Sequence, residues 1–136
     1  MGADGAVVCD ASVLAAMVFG EPRSSEAHAL TRSRRLLAPS LLRYEMAQVA
    51  VRKCAAGRGD APLVEKEFSA GLRVPVRFME PSWLDVVRLA QAARLTAYDA
   101  SYLQLALELR VPLATLDSGL ARAAAELGVG VAPGPE

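Results

Sequence analysis

The chain has 136 residues, 53% of them hydrophobic, and its 15 basic and 15 acidic side chains cancel to a formal net charge of zero. That length and apolar content suit one domain over residues 1–136 with a full core, and the balanced charge excludes nucleic-acid binding by a global field, leaving only local patches. Cys9 and Cys54 share no motif spacing and His28 is the only histidine, which excludes a Cys/His zinc site; both thiols read as small hydrophobes in a reducing cytosol.

Residues 6–9, AVVC, form a short β-branched run that predicts a first strand. SVLAAMVF follows as a helix opened by Asp10 or Ser12, broken at Gly20, Glu21 and Pro22. Ser24 or Ser25 is placed to cap a second helix through SEAHALTRSRR, and LLAP at 36–39 reads as a second strand. Ser40 then caps a long third helix, LLRYEMAQVAVRKCAA, ending at Gly57; Asp60 and Pro62 open a fourth running to about Leu72. The alternation in VPVRFMEP gives a third strand. A fifth helix covers 81–95, with Leu84, Val87, Leu89 and Ala90 as its apolar face, and Thr96 breaks it. YDASYLQLALELR is a sixth helix, PLATLD a fourth strand, SGLARAAAELG a seventh helix stopped by Gly128, and VGVAP a fifth strand.

Short strands alternating with helices predict an α/β fold with a mostly parallel sheet covered on both faces, whose ligand site lies beyond the carboxyl ends of the strands. No apolar stretch reaches the ~20 residues of a membrane span, and MGADGAVVCD has acids where a secretory leader starts basic. A cytoplasmic protein without membrane contact is expected.

Four acids are placed oddly for a folded chain. Asp10 ends strand one, Glu45 interrupts the Leu41, Leu42 and Val49 stripe of the third helix, Asp99 precedes the Ala100, Leu103 and Leu107 stripe of the sixth, and Asp117 ends strand four. Singly, Asp10, Asp99 and Asp117 are explained as well by helix capping, and Glu45 by an ion pair with Arg43 or Arg52. Gathered at one rim, four carboxylates would raise one another's pKa and oppose folding unless a cation neutralised them. All-oxygen ligands point to a hard ion, Mg²⁺ or Mn²⁺, and such ions suit phosphodiester hydrolysis by an activated water. Ser12, two residues after Asp10, and Thr115, two before Asp117 along the strand, are placed to support the acids by hydrogen bonds; the plain role of Ser12 is a helix cap.

The stretches VVCDASVLAA, LLRYEMAQVAVRK, LTAYDASYLQLAL and LATLDSGLARAA together resemble, in order and spacing, the four acidic motifs of the PIN-domain nucleases. In length the chain is similar to the VapC-type toxins of bacterial toxin-antitoxin pairs. The resemblance implies a five-stranded parallel sheet in order 3-2-1-4-5 with about seven helices and a metal-dependent endoribonuclease activity. It further implies catalytic, metal-binding roles for Asp10, Glu45, Asp99 and Asp117, restraint by a cognate VapB-like antitoxin, and a homodimer. Residues 58–80 carry no motif of the family.

Arg32, Arg34 and Arg35 in TRSRR form a candidate RNA-contacting patch, read equally well as a solvated helix end; Arg43, Arg52, Lys53 and Arg58 would extend it. Met17, Phe19, Tyr44 and Trp83 read as core or dimer surface rather than as base-stacking groups. A receiver domain would need a lysine after a late strand, whereas lysine occurs only at Lys53 and Lys66; a haloacid-dehalogenase-type phosphatase would need an acid where Ser12 stands. A dinucleotide enzyme would need a glycine-rich turn after strand one, and DASV has no glycine. The remaining alternatives are a non-catalytic PIN-like binding module and a solitary nuclease without an antitoxin.

Overall fold

β1 (Ala6–Cys9) is buried along its whole length, which is why AVVC shows no alternation: helices cover both faces of the sheet. β2 (Arg35–Ala38) pairs with one edge of β1, β4 (Leu113–Ala114) with the other, and β3 (Val76–Phe78) lies beyond β2. The order is β3-β2-β1-β4 and every pairing is parallel. The computed structural model describes residues 5–57 and 60–132. Among these, α1 (Ala11–Val18), α2 (Ser24–Thr31), α3 (Leu41–Ala55), α4 (Ala61–Gly71), α5 (Trp83–Ala93), α6 (Ala97–Leu109) and α7 (Ser118–Glu126) flank the sheet, giving the expected seven helices.

The expected fifth strand, and with it the order 3-2-1-4-5, is corrected to four strands. Among the described residues Val131 makes only an isolated parallel bridge to Leu113, supported by hydrogen bonds of 2.9 Å from the Leu113 amide to the Gly130 carbonyl and from the Ala132 amide to the Leu113 carbonyl. Gly128, at φ +73°, has to reverse the chain out of α7. Gly130 offers no side chain to pack beside Val131.

Several helix ends differ from their sequence signals. The serines expected to cap α2 lie inside its first turn, behind Arg23, and α2 stops at Thr31 because Ser33 turns to φ +61°. Ser40 makes no side-chain cap on α3; the carboxylate of Glu80 instead accepts from the Ser40 amide at 3.0 Å. Glu108 on α6 likewise accepts from the Ser82 amide before α5 at 2.9 Å. α5 and α6 end on arginines, Arg94 and Arg110, in the left-handed region usually left to glycine. The apolar face expected of α5 is displaced: Val86 is its buried residue, Leu89 packs on the core, and Leu84 and Val87 are exposed.

The core is built from β1, α1, β2 and the buried face of α6, where Ala100, Leu103, Leu105 and Ala106 pack under the sheet. The parallel register sets Ala6 beside Arg35 and Cys9 beside Ala114, so the carboxyl ends of β1 and β4 open on one rim. No helix among the described residues is long and apolar enough to cross a membrane.

Candidate active site

Asp10 leaves the end of β1 with 5% of its surface exposed and is held from both sides. The Ser12 hydroxyl donates to its Oδ1 at 2.6 Å and the Val13 amide to the same oxygen at 3.2 Å, while the Thr115 hydroxyl donates to Oδ2 at 2.5 Å. Each hydroxyl also accepts from the turn after β4: Ser12 from the Leu116 amide at 2.9 Å, Thr115 from the Asp117 amide at 3.0 Å. Two backbone amides are thus relayed through two hydroxyls onto one carboxylate, which fixes both its oxygens. Thr115 lies past the end of β4, so its link to Asp117 is this local turn and not the strand alternation that the sequence suggested.

Asp10 and Asp117 also cap α1 and α7, accepting from the Val13 and Leu120 amides, so capping and a site role coexist at these positions. Asp99 is no cap: Thr96 caps α6 by accepting from the Asp99 amide at 3.1 Å, and the Asp99 carboxylate is half-buried in the first turn. Glu45 forms no ion pair with Arg43 or Arg52 among the described residues. Its Oε1 accepts from the hydroxyl of buried Tyr102 at 2.6 Å.

The charges are mutually felt. Burial pushes the Asp10 carboxyl up to about 6, against its hydrogen bonds, and the Asp99 charge adds to the rise. Burial and then Asp99 raise Glu45 against the pull of its Tyr102 hydrogen bond, and burial and then Asp117 raise Asp99. Asp99 is therefore the common electrostatic neighbour of the other three acids. The Tyr102 hydroxyl is pushed far above the phenol range by burial and by its bond to Glu45, so it stays a donor at any working pH.

An all-carboxylate donor set, in which Asp10, Glu45 and Asp99 are all raised, matches a hard divalent cation in chemistry. Among the described residues no three histidine, cysteine, aspartate or glutamate side chains converge closely enough to hold an ion as they stand. Asp99, which makes no side-chain hydrogen bond among the described residues, is the least constrained of the set. Two clefts meet the acids: one of about 580 Å³ lined by Ser12, Glu45, Tyr44 and Tyr98, and one of about 310 Å³ lined by Asp99, Asp117, Arg94 and Arg122.

The arginines expected to meet RNA lie elsewhere. Arg35 starts β2 opposite Ala6, and Arg32 and Arg34 precede it, so TRSRR sits at the amino end of the sheet while the acids line the carboxyl end. One Nη of Arg34 is buried without a hydrogen-bond partner among the described residues. Arg43 stacks on the Phe78 ring at 4.1 Å, Lys53 pairs with Glu21 at 2.9 Å, and Arg58 lies outside the described residues. Phe19 is core as expected, whereas Tyr44 is 75% exposed beside Glu45. Cys9 is a buried thiol whose pKa burial pushes up, in keeping with an inert role; Cys54 is half-buried.

Sequence reasoning missed Tyr102, although its spacing of three from Asp99 sets it on the same helix face and a buried phenol needs a partner. It also missed the Leu116 and Asp117 amides, which no side-chain pattern announces. Arg23 was missed too: besides pairing with Glu26 it donates to the Leu116 carbonyl at 2.9 Å, buttressing the same turn.

A protein-family model described as PIN domain matches residues 7–126. The crystal structure of PAE2754 from Pyrobaculum aerophilum is similar to this chain with a TM-score of 0.70 and 27% identity, over 87% of this chain and 86% of that one. No curated protein matches the chain. The family match begins inside β1 and closes with α7, taking in all four acids, and on it the chain belongs to the PIN domain family, whose members are typically nucleases that use divalent metal ions.

Proposed function

We propose that this PIN domain is a Mg²⁺- or Mn²⁺-dependent endoribonuclease of the VapC toxin kind, acting in the cytoplasm as a homodimer and restrained by a cognate VapB-like antitoxin. The observation that carries the reading is Asp10: a buried carboxylate whose two oxygens are oriented by three donors and whose charge is opposed by Asp99. A protein that only needed a helix cap there would have no use for the second hydroxyl or for the Asp99 charge that opposes it.

Asp10, Glu45, Asp99 and Asp117 would hold the ion. Held there, such an ion would offset the repulsion among these carboxylates and supply the Lewis-acid activation of water that phosphodiester hydrolysis needs. The chain's own contribution is orientation. Ser12 and Thr115 keep Asp10 from rotating, Tyr102 keeps Glu45 turned inward, and the Asp117 carboxylate is fixed as the cap of α7. Such support is what lets flexible acids present lone pairs in a fixed pattern.

Asp10→Asn tests the reading: RNA cleavage in Mg²⁺ or Mn²⁺ should be lost with the fold retained by circular dichroism, and an unchanged cleavage rate would refute it. The wide placing of the four acids, no three of which yet converge, favours a second reading as a non-catalytic PIN-like binding module. That reading predicts binding without cleavage and no rise in melting temperature with either metal. An antitoxin reading frame beside this one separates the toxin from a solitary nuclease.

A further inference from the structure

We infer that the cleft bounded by α1, α3 and the start of α6 grips single-stranded RNA, with the rings of Tyr44 and Tyr98 as platforms for two unstacked bases. The inference rests on the nuclease reading for the identity of the strand and adds the surface that holds it.

Tyr44 is 75% exposed and Tyr98 61%, yet both line the same cleft of about 580 Å³, together with Ser12 and Glu45. Neither hydroxyl has a hydrogen-bond partner among the described residues. Leaving two large rings in water forgoes the burial that aromatic side chains ordinarily gain, and two such rings on one concave surface mark a contact face. Their positions in the chain matter as much. Tyr44 precedes Glu45 on α3, and Tyr98 precedes Asp99 on α6, so each ring stands one peptide from an acid, on two different helices. Glu45 lines this cleft with both rings while Asp99 and Asp117 line the neighbouring one, so a strand held at Glu45 would meet a ring from each helix.

Two acids, Glu21 and Glu45, line the cleft, but Glu21 is paired with Lys53 at 2.9 Å, which leaves Arg52 as the lining basic residue for a phosphate. Tyr44, Gln48 and Arg52 recur every four residues along α3 and therefore share one stripe, and all three line the cleft. Arg52 has no ion pair among the described residues, so its guanidinium is available to a phosphate, and the Gln48 amide can donate to and accept from a base edge. Flat rings accept a base only when it is unstacked, which selects single strands over an A-form duplex, whose bases are stacked inside.

The test is fluorescence anisotropy of a short labelled single-stranded RNA of mixed sequence, with Ca²⁺ in place of Mg²⁺ to hold cleavage off. Tyr44→Ala and Tyr98→Ala should each weaken binding roughly 5- to 100-fold, the range of one base-to-ring stack, while Tyr44→Phe and Tyr98→Phe stay within about twofold of the wild type. Duplex RNA of the same sequence should show no tyrosine dependence, and melting temperatures should not move because both rings are exposed. Alanine variants that bind like the wild type, or a wild type that binds no single strand, would overturn the inference. So would alanine variants that alter sedimentation as a dimer without altering RNA binding, which makes the cleft a protein interface. Tyrosine-dependent binding without cleavage in Mg²⁺ or Mn²⁺ keeps the groove and refutes the nuclease. Asp10-dependent cleavage with unchanged KM in both alanine variants does the reverse.

Discussion

The hydroxyl of Tyr102 donates to Oε1 of Glu45 at 2.6 Å, joining α6 to α3 across 57 residues of sequence. Among the described residues it is the only hydrogen bond to the Glu45 side chain. Tyr102→Phe keeps the buried ring and removes the donor, so it should cost about 1–3 kcal/mol in a denaturant melt. The lost bond favoured ionised Glu45, so its carboxyl rises further and the acid limb of the pH–rate profile for RNA cleavage moves to higher pH. An acid limb that stays in place would remove Glu45 from the group that must be ionised.

The metal-free protein should be more stable at pH 5 than at pH 7.5. Asp10 goes from 3.8 in the unfolded chain to about 6 when folded, so the folded state binds more protons between those values. Its contribution is full below about pH 4 and is lost as the pH rises through about 6, a swing of about 3 kcal/mol. Glu45 and Asp99, raised in the same direction, add to it. Glu26, lowered by its hydrogen bond and charge pairing with Arg23, works in the opposite sense, but that pair is exposed and weakened by solvent. Thermal melts in chelator across this range check the slope. Asp10→Asn should flatten it, and millimolar Mg²⁺ or Mn²⁺ should raise the melting temperature at pH 7.5.

Gly71→Ala should destabilise the protein despite the better helix propensity of alanine. A Cβ there would meet both Cγ atoms of Val18 at 2.9 Å, where α4 crosses α1. Overpacking of this kind costs about 1–3 kcal/mol, against about 1 kcal/mol gained in propensity. Adding Val18→Ala opens space for the new methyl, so the two substitutions should be non-additive in a denaturant-melt cycle. Additive losses would show that the two helices shift apart.

Arg110→Gly should raise the melting temperature. Arg110 holds φ +56° at the end of α6 and is exposed, so its side chain forfeits little on removal. A left-handed non-glycine residue carries about 1 kcal/mol of strain, part of which is returned as the added freedom of glycine in the unfolded chain. A gain of about 0.5 kcal/mol is expected, read by differential scanning calorimetry; a fall would mean that the guanidinium has a stabilising partner.

The candidate acids are easier to pick out in the sequence than the strand count. Asp10, Glu45, Asp99 and Asp117 stood out because each interrupts or abuts an apolar pattern, and a charge in such a place is visible without coordinates. Ser12 and Thr115 were visible as neighbours of those acids. The fifth strand was not legible because VGVAP has the composition of a strand but, among the described residues, only Val131 pairs. The caps on α3 and α5 come from Glu80 and Glu108, far from the helices in sequence, and no local signature reports them. The face of α5 was misjudged because its valines lie side by side: Val86 is buried and, with Leu89 and Ala90 at offsets of three and four, makes the inward stripe, while Leu84 and Val87 are exposed.

The turn from Thr115 to Asp117 that orients Asp10 hangs on β4, whose two residues make it the shortest strand of the sheet. A segment so briefly laddered can open on its own, at a free energy below that of unfolding the whole domain. Such an opening would let the Asp10 carboxylate swing without disturbing β1 or β2. Catalysis would then have its own, lower melting curve, and amide exchange at Leu116 and Asp117 would follow the loss of activity on warming more closely than the loss of helix.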